Sequence, residues 1–98
     1  MSFEQALDMT LAEAVGDDFN LVAELRGAFL DSATRHVEAM SQAGDDAGWQ
    51  DSALRLKGLA ASFGATSLME QAGLAATGRR GDVALMGDIR RGIAMLAL

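Results

Sequence analysis

The chain of 98 residues is half apolar and carries a net charge of −6, with 14 aspartates and glutamates against eight lysines and arginines. This length fits one small domain, residues 1–98, and the apolar content argues against intrinsic disorder. Without cysteine, neither disulfides nor thiolate metal sites are possible. The acidic balance disfavours nucleic acid and anionic membrane surfaces as partners, because like charges repel.

The ends and the motifs of the chain exclude further classes of function. The N-terminus lacks the positive region and the apolar run of a signal peptide, and no stretch approaches ~20 uninterrupted apolar residues. The sequence therefore predicts a cytoplasmic protein. It contains no oxygen-ligand loop, no phosphate-binding glycine loop and no catalytic triad order, so neither a cofactor nor a metal is expected.

Glycines punctuate a sequence that is rich in strong helix formers and contains no proline. The first predicted helix covers about residues 3–15. Ser2 and Gln5 are spaced as a capping box at its start, and Gly16 ends it.

The second predicted helix is the longest. It runs from a cap at Asp17 or Asp18 to about Ala43, and Gly44 stops it. Its apolar residues recur at spacings of three and four, so one face is expected to be buried. That face consists of Val22, Leu25, Phe29, Ala33, Val37 and Met40.

The third predicted helix covers about residues 47–63, with a cap at Asp45 or Asp46 and a stop at Gly64. On a helical wheel of about 100° per residue, Leu54 falls on the side that faces solvent. The side that faces the core holds Trp49, Ser52, Leu56, Leu59, Ala60 and Phe63.

Two shorter helices complete the chain. The fourth is capped by Thr66 or Ser67 and ends near Gly78, and the fifth starts at Gly81-Asp82. The residues predicted to point inward are Leu68, Met69, Ala72 and Ala75, then Val83, Met86, Ile89, Ile93 and Leu96. Helices joined by short loops pack as antiparallel neighbours. The sequence thus predicts an all-α fold, an up-down antiparallel four-helix bundle with a short additional N-terminal helix.

The solvent side of the third helix combines an apolar residue with an unusual glycine. A glycine inside a helix costs about 1 kcal/mol relative to alanine, yet Gly58 lies one turn from Leu54. A bare backbone there lets another chain approach closely, although a lone surface leucine or glycine is also compatible with an ordinary solvated face. The predicted binding surface comprises Gln50, Asp51, Leu54, Lys57, Gly58, Ala61, Ser62 and Ala65.

Residues 53–65 read Ala-Leu-Arg-Leu-Lys-Gly-Leu-Ala-Ala-Ser-Phe-Gly-Ala. This run resembles the signature of histidine-containing phosphotransfer (HPt) domains, in which a histidine stands at the position of Leu54 and leucine, lysine and glycine follow. The similarity extends to Gly16-Asp17, to Trp49–Ala53 and to Gly81-Asp82, and so covers nearly the whole chain.

The resemblance implies a helical bundle that docks the receiver domain of a response regulator, or a histidine kinase. In active HPt domains the exposed histidine attacks the aspartyl phosphate of the receiver. By resemblance, Lys57 would neutralise the phosphoryl group and Gly58 would leave room for it. Leu54 has no lone pair and cannot form the covalent intermediate. The expected function is a non-catalytic signalling module that keeps the docking surface without the activity.

Two other functions remain open from the sequence. An active phosphorelay carrier would need another acceptor, either His36, the only histidine of the chain, or Ser62 near the exposed side of the third helix. His36 lacks the lysine and glycine context of the motif, and the sequence identifies no base near Ser62. The second alternative is a structural or oligomerising helical bundle, which would self-associate through its exposed apolar patch.

Overall fold

The computed structural model describes residues 19–97, and every regular element in that part of the chain is an α-helix. The four helices are α1 (Phe19–Gln42), α2 (Asp46–Ser62), α3 (Thr66–Ala76) and α4 (Val83–Leu96). The second to fifth predicted helices are therefore confirmed. None of the four combines the length and the apolarity that crossing a bilayer requires.

Part of the predicted N-terminal region is not covered by this description. The first predicted helix over residues 3–15, its capping box of Ser2 and Gln5, and the predicted caps Asp17 and Asp18 lie outside the described residues.

Hydrogen bonds that the sequence anticipates fix both ends of α2. At its start, Asp45 is the N-cap, and its Oδ1 accepts a hydrogen bond from the backbone N–H of Gly48 at 2.8 Å. At its end, Gly64 has a φ of 72°, a conformation that glycine adopts without a steric penalty. The N–H of Ala65 then donates to the carbonyl of Ala60 at 2.9 Å, as in a Schellman motif. This turn leads directly into α3.

The prediction that Thr66 or Ser67 caps α3 is wrong. The N-cap is Ala65, which forms no side-chain capping hydrogen bond, and Thr66 is already the first helical residue. The physical reason is the short connection, since only residues 63–65 separate α2 from α3. The last residue of this turn therefore also serves as the cap of the next helix.

The four helices contact one another in a closed ring: α1 with α2, α2 with α3, α3 with α4, and α4 with α1. Apolar side chains from all four fill the space between them, and no polar or charged side chain among the described residues is fully buried. Hydrophobic burial therefore holds the helices together. The buried residues are Val22, Phe29, Ala33, Val37, Met40, Trp49, Ala53, Leu56, Ala60, Ala65, Leu68, Ala72, Ala75, Ile89 and Leu96.

Two side chains tie the start of α2 to the end of α3. The buried indole of Trp49 donates from Nε1 to the carbonyl of Ala75 at 3.1 Å, which satisfies its only polar group. Gln50 donates from Nε2 to the carbonyl of Gly78 at 2.8 Å. The last carbonyls of a helix lack partners within the helix, and the bond from Trp49 supplies one to Ala75, while the bond from Gln50 holds the connection that follows α3.

The start of α4 lies where predicted, at Gly81-Asp82, but its first residue does not reach the core. Asp82 is the N-cap, and its Oδ1 accepts from the N–H of Leu85 at 3.0 Å. The prediction that Val83 points inward is wrong, because this residue is 83% exposed. Val83 borders an open cavity at this end of the fold, where no side chain covers it. Leu85 and Met86 are partly buried against the core, and Ile89 is the first fully buried residue of α4.

Candidate functional site

The side of α2 that points away from the core carries an exposed leucine among small and polar residues. Leu54 is 55% exposed, whereas Leu56, two residues along, is fully buried. The prediction that Leu54 faces solvent is therefore confirmed. We call this side the outer face of α2, which comprises Asp51, Leu54, Lys57, Gly58, Ala61 and Ser62, all of them exposed.

Gly58 leaves open space one turn after Leu54. A Cβ atom placed at Gly58 would meet no atom within 4 Å, apart from those of its own helix backbone and its chain neighbours. Its φ is not positive either, so neither packing nor backbone conformation in the described part of the chain requires a glycine there. The hydroxyl of Ser62 donates to the carbonyl of Gly58 at 2.9 Å, which keeps that hydroxyl close to the helix. The backbone at Gly58 is accessible to a partner.

Lys57 extends from the outer face of α2 towards α3. A Cβ atom placed at Gly73 would lie 3.8 Å from Cδ and from Cε of Lys57, so the lysine stem passes over this small residue. A lysine can pack its stem on a surface while its ammonium stays in water. Among residues 19–97 no carboxylate forms an ion pair with Lys57. Its charge is therefore available to an anionic group of a partner.

An ion pair that the sequence analysis missed flanks the outer face of α2. Nε of Arg55 lies 3.2 Å from Oδ2 of Asp51, and both side chains are largely exposed. The spacing of four residues in a helix is the signal that would have predicted this pair. An exposed pair of this kind contributes less than about 1 kcal/mol to stability. The pair matters locally, because the guanidinium of Arg55 offsets the charge of Asp51 beside Leu54.

His36 lies on α1 and not on the outer face of α2. Its side chain is half-buried, and burial together with the charges of Arg55 and Arg35 lowers the pKa of its imidazole. The ring is therefore mostly neutral at pH 7. The only histidine of the chain thus sits apart from Lys57 and Gly58, the two residues that match the motif.

Two of the predicted surface residues do not belong to the outer face of α2. Ala65 is only 4% exposed, so its assignment to the exposed surface is wrong. An uninterrupted helix would have kept Ala65 on the side of Leu54, but the turn at Gly64 directs it inward. Gln50 is half-buried, because its amide is committed to the carbonyl of Gly78.

The chemical groups on the outer face of α2 are few. Within the described ranges, no three His, Cys, Asp or Glu side chains come together as a metal site. The outer face offers the ammonium of Lys57, a hydroxyl at Ser62 that already donates to the backbone, and the apolar surface of Leu54. A nucleophilic hydroxyl is activated by donating its proton to a base, whereas that of Ser62 donates to a backbone carbonyl.

Comparisons of the chain with protein-family models, with curated proteins and with solved structures found no match. The likeness to HPt domains therefore rests on the motif of residues 53–65 and on the segments around it.

Proposed function

We propose that the protein is a non-catalytic HPt-like signalling module. It docks the receiver domain of a response regulator, or a histidine kinase, through the outer face of α2 and does not accept phosphate. The observation that carries the proposal is the exposure of Leu54 at the position where the motif has its histidine, with Lys57 and Gly58 on the same face. The closed ring of four helices supports an up-down antiparallel bundle of the HPt kind.

Leu54 serves in this proposal as an apolar anchor of modest strength. About half of its surface is still in water, so its transfer into a pocket of the partner contributes roughly 1 kcal/mol. A micromolar complex requires about 8 kcal/mol. Most of the affinity must therefore come from the area around Leu54, where Gly58 and Ala61 allow a close approach.

Lys57 supplies the electrostatic part of the interaction. Its ammonium has no carboxylate partner among the described residues and lies on the same face as Leu54. It would be attracted to the aspartate that a receiver uses for phosphorylation, and this charge pair favours orientation and rate of encounter more than affinity. A receiver docked in this way is blocked from a true phosphodonor, because Leu54 occupies the place of the attacking histidine.

The test is a binding titration of the wild-type protein against the receiver domains and the histidine kinases of the source genome, with amide chemical shifts recorded on the bound complex. Selective micromolar binding, with the largest shifts on the outer face of α2, is the expected result. Absence of binding to every receiver and to the histidine kinases would reject the proposal.

The two alternative functions give different results in the same samples. An active carrier would hold acid-labile phosphate on His36 or on Ser62 after incubation with a phosphorylated receiver. An oligomerising bundle would show a concentration-dependent mass in sedimentation and no response to receivers. Neither signal is expected from a docking module.

A further inference from the structure

A cavity lies where α1 ends and α4 begins, and none of its lining residues belongs to the outer face of α2. It has a volume of about 540 Å³, within the range of about 300–1,000 Å³ that is typical of small-molecule sites. Its apolar wall includes Met40 from α1, Trp49 from α2 and Met86 from α4. Arg80, from the connection between α3 and α4, and Arg90, from α4, also line it.

Two arginines and one carboxylate line this cavity. Arg80 and Arg90 supply the positive charges, and the carboxylate is that of Asp82, whose Oδ1 accepts from the N–H of Leu85 as the cap of α4. A second carboxylate, that of Asp46, accepts from the backbone N–H of Arg80. The two guanidinium groups are the part of the site that would attract an anion.

Arg80 is held in place at the cavity and keeps donors for a ligand. Its backbone N–H donates to Oδ1 of Asp46 at 2.8 Å, and its Nη1 donates to the carbonyl of Ala43 at 3.3 Å. A guanidinium has five N–H donors, and within residues 19–97 no carboxylate forms an ion pair with that of Arg80. The charge of Arg90 is partly offset, because its Nη1 lies 3.3 Å from Oε1 of Glu38.

We propose that this cavity binds a small amphipathic carboxylate, a molecule with one carboxylate and an acyl chain of medium length. The carboxylate would pair with the guanidinium of Arg80, whose planar donors match its two oxygens. The acyl chain would lie against Met40, Trp49 and Met86. The exposed side chain of Val83 extends this apolar wall at the rim. The site is independent of receiver docking, since none of its lining residues belongs to the outer face of α2.

The test uses octanoate as the probe and Trp49, the only tryptophan of the chain, as the reporter. Octanoate is expected to change the fluorescence of Trp49 saturably in the wild-type protein. Octanol, which has the same chain without the charge, is expected to bind at least about fivefold more weakly, because it makes no charge-assisted hydrogen bond to Arg80. Raising the salt concentration should weaken octanoate binding more than octanol binding.

A matched pair of variants locates the carboxylate. Arg80→Gln is expected to weaken octanoate binding about five- to tenfold, whereas Arg79→Gln, an exposed neighbour that does not line the cavity, should leave it unchanged. No saturable fluorescence change, equal binding of octanol and octanoate, or equal losses in both variants would overturn the proposal. If Arg80→Gln unfolds at the assay temperature, the comparison of octanoate with octanol in the wild-type protein tests the proposal by itself.

Discussion

The inner and outer faces of α2 both carry leucine and alanine, but these residues have opposite surroundings on the two faces. Ala53, Leu56 and Ala60 on the inner face are fully buried, whereas Leu54 and Ala61 on the outer face are exposed. An ordinary surface helix places charged and polar residues on its solvent side, and α2 does so only in part. The apolar content of the outer face is therefore the feature on which the proposed docking rests.

The inner face also explains why the outer face is preformed. Small residues let two helices approach closely, and α2 and α3, which contact each other, both bury alanines: Ala53 and Ala60 in α2, Ala72 and Ala75 in α3. The hydrogen bond from Trp49 to the end of α3 adds a fixed point. A surface on such an element needs little ordering when a partner binds, which lowers the cost of association.

The largest difference in stability between the two faces is expected when one leucine on each is truncated to alanine. Leu56→Ala should lower the free energy of unfolding by about 2–5 kcal/mol, because it leaves a cavity in the core. Leu54→Ala should lower it by less than about 1 kcal/mol, as is usual at an exposed position. Urea unfolding of both variants measures the difference. Equal losses would show that the two faces are assigned wrongly.

A smaller change in stability, of opposite sign, is expected from a substitution at Gly58. Gly58→Ala should stabilise the fold by about 1 kcal/mol, since alanine is the better helix former and its Cβ meets no atom within 4 Å. The same methyl group should weaken receiver binding, because it occupies the space through which a partner approaches. Thermal unfolding and a binding titration test the two halves of the prediction.

Gly27→Ala is the matched control for Gly58→Ala. Gly27 lies within α1, and a Cβ atom there would also meet nothing within 4 Å. It should give a similar gain in stability with no loss of binding. If Gly58→Ala binds the receiver as well as Gly27→Ala does, a close approach at Gly58 is ruled out.

Replacing Leu54 by histidine tests whether the outer face of α2 lacks only its reactive atom. Leu54→His should change the melting temperature little, because the side chain points into solvent. The new imidazole beside Lys57 should accept a phosphoryl group from a phosphorylated receiver, seen as acid-labile phosphate on the variant and none on the wild-type protein. A stable variant that docks the receiver and stays unphosphorylated would contradict this prediction.

The smallest effect is expected from pH, through His36 at the border between α1 and α2. Burial, Arg55 and Arg35 lower the pKa of this imidazole in the folded state, so the unfolded chain binds the proton more readily. This contribution to stability is complete above the pKa of the unfolded state, about 6.5, and decreases as the pH falls below it. His36→Gln should flatten the dependence of stability on pH between about 7.5 and 5.5. An unchanged slope would contradict the assigned environment of His36.

The sequence predicted the helices and the orientation of α2 because their signals are local. Asp45, Asp82 and Gly64 act within one helical turn, and the spacing of apolar residues assigns Leu54 and Leu56 to opposite sides. These features depend on residues that are close together in the chain, so they can be predicted from the sequence.

The features that the sequence did not predict depend on contacts between helices. Ala65 turns inward because the chain reverses at Gly64, and Gln50 is half-buried because Gly78 is brought beside it. Val83 fits the apolar spacing of α4 yet has no side chain above it. The cavity that Arg80 lines was missed for the same reason, since its walls come from three helices and two connections.

The central claim, that the outer face of α2 docks a receiver domain, is tested most directly by one pair of leucine-to-aspartate variants. Leu54 on α2 and Leu74 on α3 are exposed to similar extents, 55% and 64%. Receiver binding is titrated for Leu54→Asp and Leu74→Asp under identical conditions. We expect Leu54→Asp to lose at least about tenfold in affinity, equivalent to 1.4 kcal/mol. Leu74→Asp should bind like the wild-type protein. Equal affinities of the two variants would contradict it.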